Sequence, residues 1–126
     1  MKIVVLVKYV PEPTATWTYA DDLTIDRAGV EGRLSELDEY AVEQALQLTE
    51  KGLDADIVYL TMGPAKAVDG LRKALSMGGT SGVHVLDDAL HASDAMATSM
   101  VLAKAIEAVG DVDLVMSGMA STDAEM

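Results

Sequence analysis

Four short apolar runs, residues 3–7, 57–60, 83–86 and 114–116, alternate along the chain with three stretches of helical periodicity. Strand–helix–strand alternation implies a sheet of parallel strands, joined by helices that cover its faces. The first run, Ile3-Val4-Val5-Leu6-Val7, is apolar at every position. A strand with no polar side is expected to be covered by helices on both faces. Each run ends in a loop rich in Gly, Pro or Asp, at residues 9–13, 61–64, 87–94 and 117–123. Open parallel sheets bind ligands beyond the carboxyl ends of their strands, so these loops are where function is expected.

At 126 residues the chain has the size of one domain and can bury a real core. Its apolar stretches are too short to span a bilayer, so no membrane insertion is expected. The start has a signal-peptide flavour, but the apolar run is short and Lys8 and two prolines follow it, not a small-residue cleavage site. It reads as a first buried strand of a cytoplasmic protein. The absence of cysteine excludes disulfides, thiolate chemistry and cysteine metal sites. A net charge of −12 with scattered basic residues argues against nucleic acid and anionic membranes as partners. Without phenylalanine, Trp17 and four tyrosines make up all the aromatic surface, too little for a base-stacking platform.

Pro11 and Pro13 are expected to stop the first strand. Residues 14–34 lack helical periodicity and read as a long excursion, with a short hairpin around 18–27, that crosses one sheet edge without joining the core. A helix then starts at a capping-box pattern, Ser35 with Asp38, and closes at Gly52. Its apolar face carries Ala41, Ala45 and Leu48, with Val42 and Leu46 alongside. In the second helix Pro64 suits the first turn, Val68, Leu71 and Leu75 form the buried stripe, and Gly78-Gly79 is the stop. Ser93 is the expected cap of a third helix, from Asp94 to about Val109, in which Met96, Met100, Ala103 and Ile106 follow helical spacing. The methionines read as core filler. The fourth strand, with nothing after it to cover it, reads as cut short.

No catalytic constellation is visible. His84 and His91 are isolated, with no matched carboxylate spacing, and read as structural or exposed; Asp87-Asp88 reads as a polar loop near a helix start and not as a metal site. The stronger signal is nucleotide binding. Gly118 through Asp123 follows a buried strand, where glycine lets a ligand approach the backbone and hydroxyls with a carboxylate can bond ribose or phosphate. Thr61-Met62-Gly63-Pro64 holds the matching position after the second strand. Neither loop is a P-loop, and the dinucleotide-binding glycine fingerprint is absent.

Several segments in this order resemble the β subunit of electron transfer flavoprotein. They are Lys2 through Pro11, Leu37 through Leu46, Gly63-Pro64, Leu71 through Gly79, Ser93-Asp94 with Ala97-Thr98, Asp113-Leu114-Val115 and Gly118 through Asp123. Family members are about twice this long, so residues 1–126 resemble the amino-terminal part of that subunit's α/β domain. The resemblance implies a parallel sheet with helices on both faces, of the adenine-nucleotide hydrolase-like, Rossmann-like kind. It implies an electron carrier subunit, not an enzyme. The partner α subunit mainly holds a redox-active FAD, and the pair passes electrons from dehydrogenases, commonly acyl-CoA dehydrogenases, towards the respiratory chain. The β subunit itself holds AMP in a structural role, or a second FAD in electron-bifurcating relatives.

Carried over residue by residue, the AMP contacts fall at Leu6, at Ser35, Glu36, Leu37 and Asp38, at Met62 and at Asp123. Leu6 and Met62 act through backbone and packing, and Asp123 is the polar anchor. Many relatives have Asn-Pro at Ser35-Glu36 and glycine after the aspartate, where this chain has Ala124-Glu125; the phosphate-binding amides of that loop are expected beyond Met126. The alternative is a stand-alone adenine-nucleotide-binding regulatory domain similar to universal stress proteins. Those carry a glycine-serine-rich phosphate loop after the fourth strand, where this chain has Met119-Ala120 and Asp123.

Overall fold

A computed structural model describes residues 1–12, 16, 18–26 and 30–125. Pro13, Trp17, Gly29, Met126 and the end of the expected hairpin at Arg27 lie outside the described residues. Four strands, β1 (Lys2–Leu6), β4 (Asp56–Met62), β5 (Ser81–Val85) and β6 (Leu114–Met116), form one parallel sheet in the order β5-β4-β1-β6. Between β1 and β4 come two short strands, β2 (Tyr9–Pro11) and β3 (Gly32–Leu34), and the helix α1 (Glu36–Glu50). Helix α2 (Val68–Met77) joins β4 to β5, and α3 (Ala95–Val109) joins β5 to β6.

The strand order determines where the helices go. From β1 the chain steps outward to β4 and β5, then returns past them to put β6 on the other side of β1. Crossovers of one fixed hand place α1 and α2 on one face during the outward steps, and α3 on the other during the return. The alternating side chains of β1 serve both layers. Ile3, Val5 and Val7 pack with Val42, Ala45 and Leu71, whereas Val4 packs with Leu60 against Leu102, Ile106 and Val109 of α3. The two-sided apolarity of the first run therefore has the meaning expected of it.

Lys2 ties the start of β1 to the end of α3. Its ammonium donates to the Gly110 carbonyl at 2.8 Å, which places a cation at a helix C-terminus that has no basic residue of its own. Tyr59 is fully buried and donates its hydroxyl to the Gly78 carbonyl at 2.6 Å. Gly78 and Gly79 both hold positive φ, and a Cβ on Gly79 would lie 2.6 Å from the Tyr59 ring, so the second helix stops where glycine alone fits.

Several local expectations are corrected. Residues 14–34 do not simply cross an edge. Tyr9–Pro11 and Gly32–Leu34 pair antiparallel, and Leu34, 2% exposed, enters the core beneath α1. Pro11 sits within this two-stranded ribbon and does not stop β1, which ends at Leu6. Such an edge position tolerates a missing N–H. The hairpin exists in its described part, with Tyr19 bridged to Ile25. The stripe of α2 runs through Ala67, Gly70, Leu71 and Ala74, and Leu75 is exposed. A 3-10 turn at Ala65–Ala67 follows Pro64 and rotates the helix relative to that expectation. Asp94, not Ser93, caps α3, accepting from the Ala97 N–H at 2.8 Å; Ser93 bonds back to the Leu90 carbonyl instead. Met96 and Met100 point outward, 75% and 63% exposed, because the sheet-facing side of α3 carries Leu102, Ala105, Ile106 and Val109.

Candidate functional site

The direction of the chain reverses at β1, so the crevice outside the carboxyl ends of β1 and β6 is the topological switch point of the sheet. Three pieces of chain meet there: Lys8 just after β1, the start of α1, and the loop 117–123 after β6. Strand register puts Val5 level with Met116. On the other side of β1, Leu6 lies level with Leu60, so Met62 ends β4 two residues further out. Leu6 packs in the α3-facing layer, and strand alternation directs Met62 the same way. Ser35 and Asp38 belong to the opposite, α1 layer.

The start of α1 departs from the capping box. The Ser35 side chain makes no cap bond. Its Oγ instead accepts from the Thr122 N–H at 3.3 Å, while its own N–H donates to the Lys8 carbonyl at 2.9 Å. Asp38 also turns away from the helix end: Oδ2 accepts from the Lys8 N–H at 2.8 Å, and the Gly118 N–H bonds the same carboxylate. Burial raises the Asp38 carboxyl to about 6, against the lowering effect of these bonds and of the Lys8 charge; nearby Asp123 adds to the rise.

Gly118 has a different purpose from the one its sequence suggests. A Cβ there would stand 2.7 Å from both Asp38 Oδ1 and the Leu37 carbonyl. The close approach it permits is that of α1 onto the loop after β6. Asp123, its side chain 0% exposed, pairs with Lys8 Nζ at 2.9 Å and accepts from the Ala124 N–H at 2.7 Å. Glu36 faces outward and pairs with Arg33 at 3.4 Å. The seven residues named from the sequence thus divide into groups. Ser35, Asp38 and Asp123 interlock around Lys8, Leu37 backs Gly118, Leu6 and Met62 end neighbouring strands, and Glu36 lies outside the interlock. Lys8 was missed. Its only signal in the sequence is a single cation directly after a buried strand.

Among the described residues two buried hydroxyls, Thr61 Oγ1 and Thr122 Oγ1, have no hydrogen-bond partner. That of Thr122 sits in the loop that closes the crevice, where a bound polar group would satisfy it. The second loop offers less: the Gly63 N–H donates to the Val85 carbonyl and its own carbonyl meets His84 Nε2 at 3.0 Å. His91 pairs at the surface with Asp22 at 2.7 Å. Among the described residues no group of three or more His, Asp or Glu could hold a metal ion. Two cavities lie elsewhere, one of about 270 Å³ between the β2–β3 ribbon and the helices α1 and α2, and one of about 480 Å³ between β5 and α3. The strand reversal and the converging loops make the crevice the candidate site; the cavity between β5 and α3 has Lys104 as its one polar lining side chain.

Residues 22–126 match the family model described as the electron transfer flavoprotein domain. The chain belongs to the electron transfer flavoprotein family. It is 42% identical over 126 residues to the electron transfer flavoprotein subunit beta of Mycobacterium tuberculosis (strain ATCC 25618 / H37Rv), covering 96% of this chain and 47% of that protein. Protein FixA of Sinorhizobium fredii is 35% identical over 99% of this chain and 45% of its own length. The caffeyl-CoA reductase-Etf complex subunit CarD of Acetobacterium woodii is 34% identical over 99% and 48%. The chain therefore spans about half the length of the curated relatives it matches. No helix among the described residues is long and apolar enough to cross a membrane.

Proposed function

We propose that residues 1–126 form the amino-terminal part of the α/β domain of a β-type electron transfer flavoprotein subunit, a cytoplasmic electron carrier and not an enzyme in its own right. It holds AMP at the switch-point crevice and pairs with an α subunit that mainly carries the redox FAD. Together they pass electrons from dehydrogenases, such as acyl-CoA dehydrogenases, towards the respiratory chain.

The observation that carries this reading is the convergence of the α1 start and the 117–123 loop at the one reversal point of the sheet, in a chain of this family. The residues there fit the nucleoside end of the ligand. Thr122 Oγ1 is a buried hydroxyl in need of a partner, and the ends of β1 and β4 offer backbone and the apolar side chains of Leu6 and Met62 to a flat base. They fit phosphate less well. Two carboxylates gather at Lys8, Asp38 on its backbone N–H and Asp123 on its ammonium, so the phosphate end would point away from this interlock. When bound in the pair, the FAD supplies the electron chemistry; this chain's share is to bind, orient and exclude water.

The test is to purify the complete protein with its α partner, release its ligands with acid and separate them. One AMP and one FAD per heterodimer is the expected result. A second FAD in place of AMP would keep the site and change its ligand. No adenine nucleotide beyond the redox FAD would refute nucleotide binding at this crevice.

A further inference from the structure

Lys8 bonds both of the other pieces of chain that meet at the crevice, the start of α1 and the loop after β6. Its carbonyl accepts from the Ser35 N–H at 2.9 Å and its N–H donates to Asp38 Oδ2 at 2.8 Å, which fixes the start of α1 to the end of β1. Its ammonium reaches Asp123 Oδ1 at 2.9 Å, which fixes the loop after β6. The same Asp123 oxygen accepts from Ala124, so the turn at residues 121–125 is built around a carboxylate that Lys8 neutralises. The Asp123 side chain is fully covered while the lysine side chain remains 39% exposed. A buried carboxylate without its cation is strongly unfavourable, whereas removing both charges is far less so.

We propose that Lys8 is the positioning residue of the site, holding the 117–123 loop and the α1 start at the separation that admits an adenine nucleotide. This rests on the nucleotide-binding reading above, yet it concerns loop order and is measurable without a ligand. Only the side chain's part can be mutated away, so the assignment to Lys8 as a residue divides in two. The ammonium governs the loop, and the backbone governs the helix start.

The variants are Lys8→Met, Lys8→Arg, Asp123→Asn, the double variant Lys8→Met with Asp123→Asn, and Lys104→Met as a control for net charge, all made in the full-length protein with its native partner. Two readouts are taken: amide exchange at Thr122 and Ala124, and dissociation of AMP. Lys8→Met should speed exchange at both amides and weaken AMP binding by about tenfold or more. Lys8→Arg should restore most of each, the double variant should recover protection lost in Lys8→Met, and Lys104→Met should leave both unchanged. Strict additivity of the two single variants, or unchanged exchange in Lys8→Met, would overturn the proposal. Faster exchange in Lys8→Met in a protein that binds no AMP in any form would uphold the loop clamp and refute the nucleotide reading instead.

Discussion

The two faces of the sheet share β1 but are finished differently. On the α1–α2 face the helices bury Val42, Ala45, Leu71 and Ala74, the β2–β3 ribbon adds Leu34, and the polar start of α1 locks onto the loop after β6. On the other face α3 lies across the sheet with none of its own residues buried, and Met96, Met100 and Val115 are left exposed. The sealed face also carries the candidate crevice. The lesson is that precision at the site comes from the face whose helix gives up its own cap in order to bond another part of the chain. The helix that keeps its cap, α3 with Asp94, is the loosely covered one.

The comparison would break first in the core. Leu34→Ala should cost about 2–5 kcal/mol in chemical denaturation, the range for emptying a well-packed site. Leu102→Ala, on the half-buried side of α3, should cost less than half as much. Equal losses would mean that the two faces are packed alike.

Acidity sharpens it next. Asp38 titrates at about 6 in the folded protein against an ordinary value of 3.8, so the native state holds this proton more tightly than the unfolded chain does. Its ionisation therefore opposes folding. The favourable balance is complete below about pH 4 and is lost as pH rises through 6. Asp38→Asn removes that slope, and the stability difference between variant and wild type should shift in the variant's favour by on the order of 1–2 kcal/mol between pH 4 and 7, discounted for partial solvation. A pH-independent difference would show that the Lys8 and Gly118 bonds fully offset the burial.

The smallest effect concerns the caps. Asp94→Ala should destabilise by about 1 kcal/mol, seen as faster amide exchange in the first turn of α3, while Ser93→Ala should change stability by less than about 0.5 kcal/mol. A reversed order would return the cap to Ser93.

The strands and their parallel arrangement were legible because periodicity and loop composition are local signals. The unbroken apolarity of Ile3 through Val7 correctly announced two helical layers. The β2–β3 ribbon was not legible, since Tyr9-Val10-Pro11 and Gly32-Arg33-Leu34 are too short to show alternation, and proline argues against a strand. At the crevice the residues singled out from the sequence make contacts that their spacing alone does not reveal. Ser35 and Asp38 have the spacing of a capping box, but a hydroxyl or carboxylate can serve its own helix or a distant loop equally well, and only the fold decides. Gly118 was read as making room for a ligand, when the room is taken by Leu37 and Asp38. In the same way, Lys8 acquires a role only through contacts with residues 30 and 115 positions away.

The position of β1 has a consequence for how the protein is made. Of the four strands of this sheet, β1 is made before the others and lies inside it, and its two neighbours, β4 and β6, begin at residues 56 and 114. At a synthesis rate of about 5–20 residues per second, the second flank of β1 waits roughly 5–20 s for its partner. Until β4 is made both edges of the apolar Ile3–Leu6 segment are unpaired, and one edge stays open until β6 follows. Pairings this remote in sequence also close slowly. The order of strands in the finished sheet therefore sets how long this apolar segment waits for its last partner.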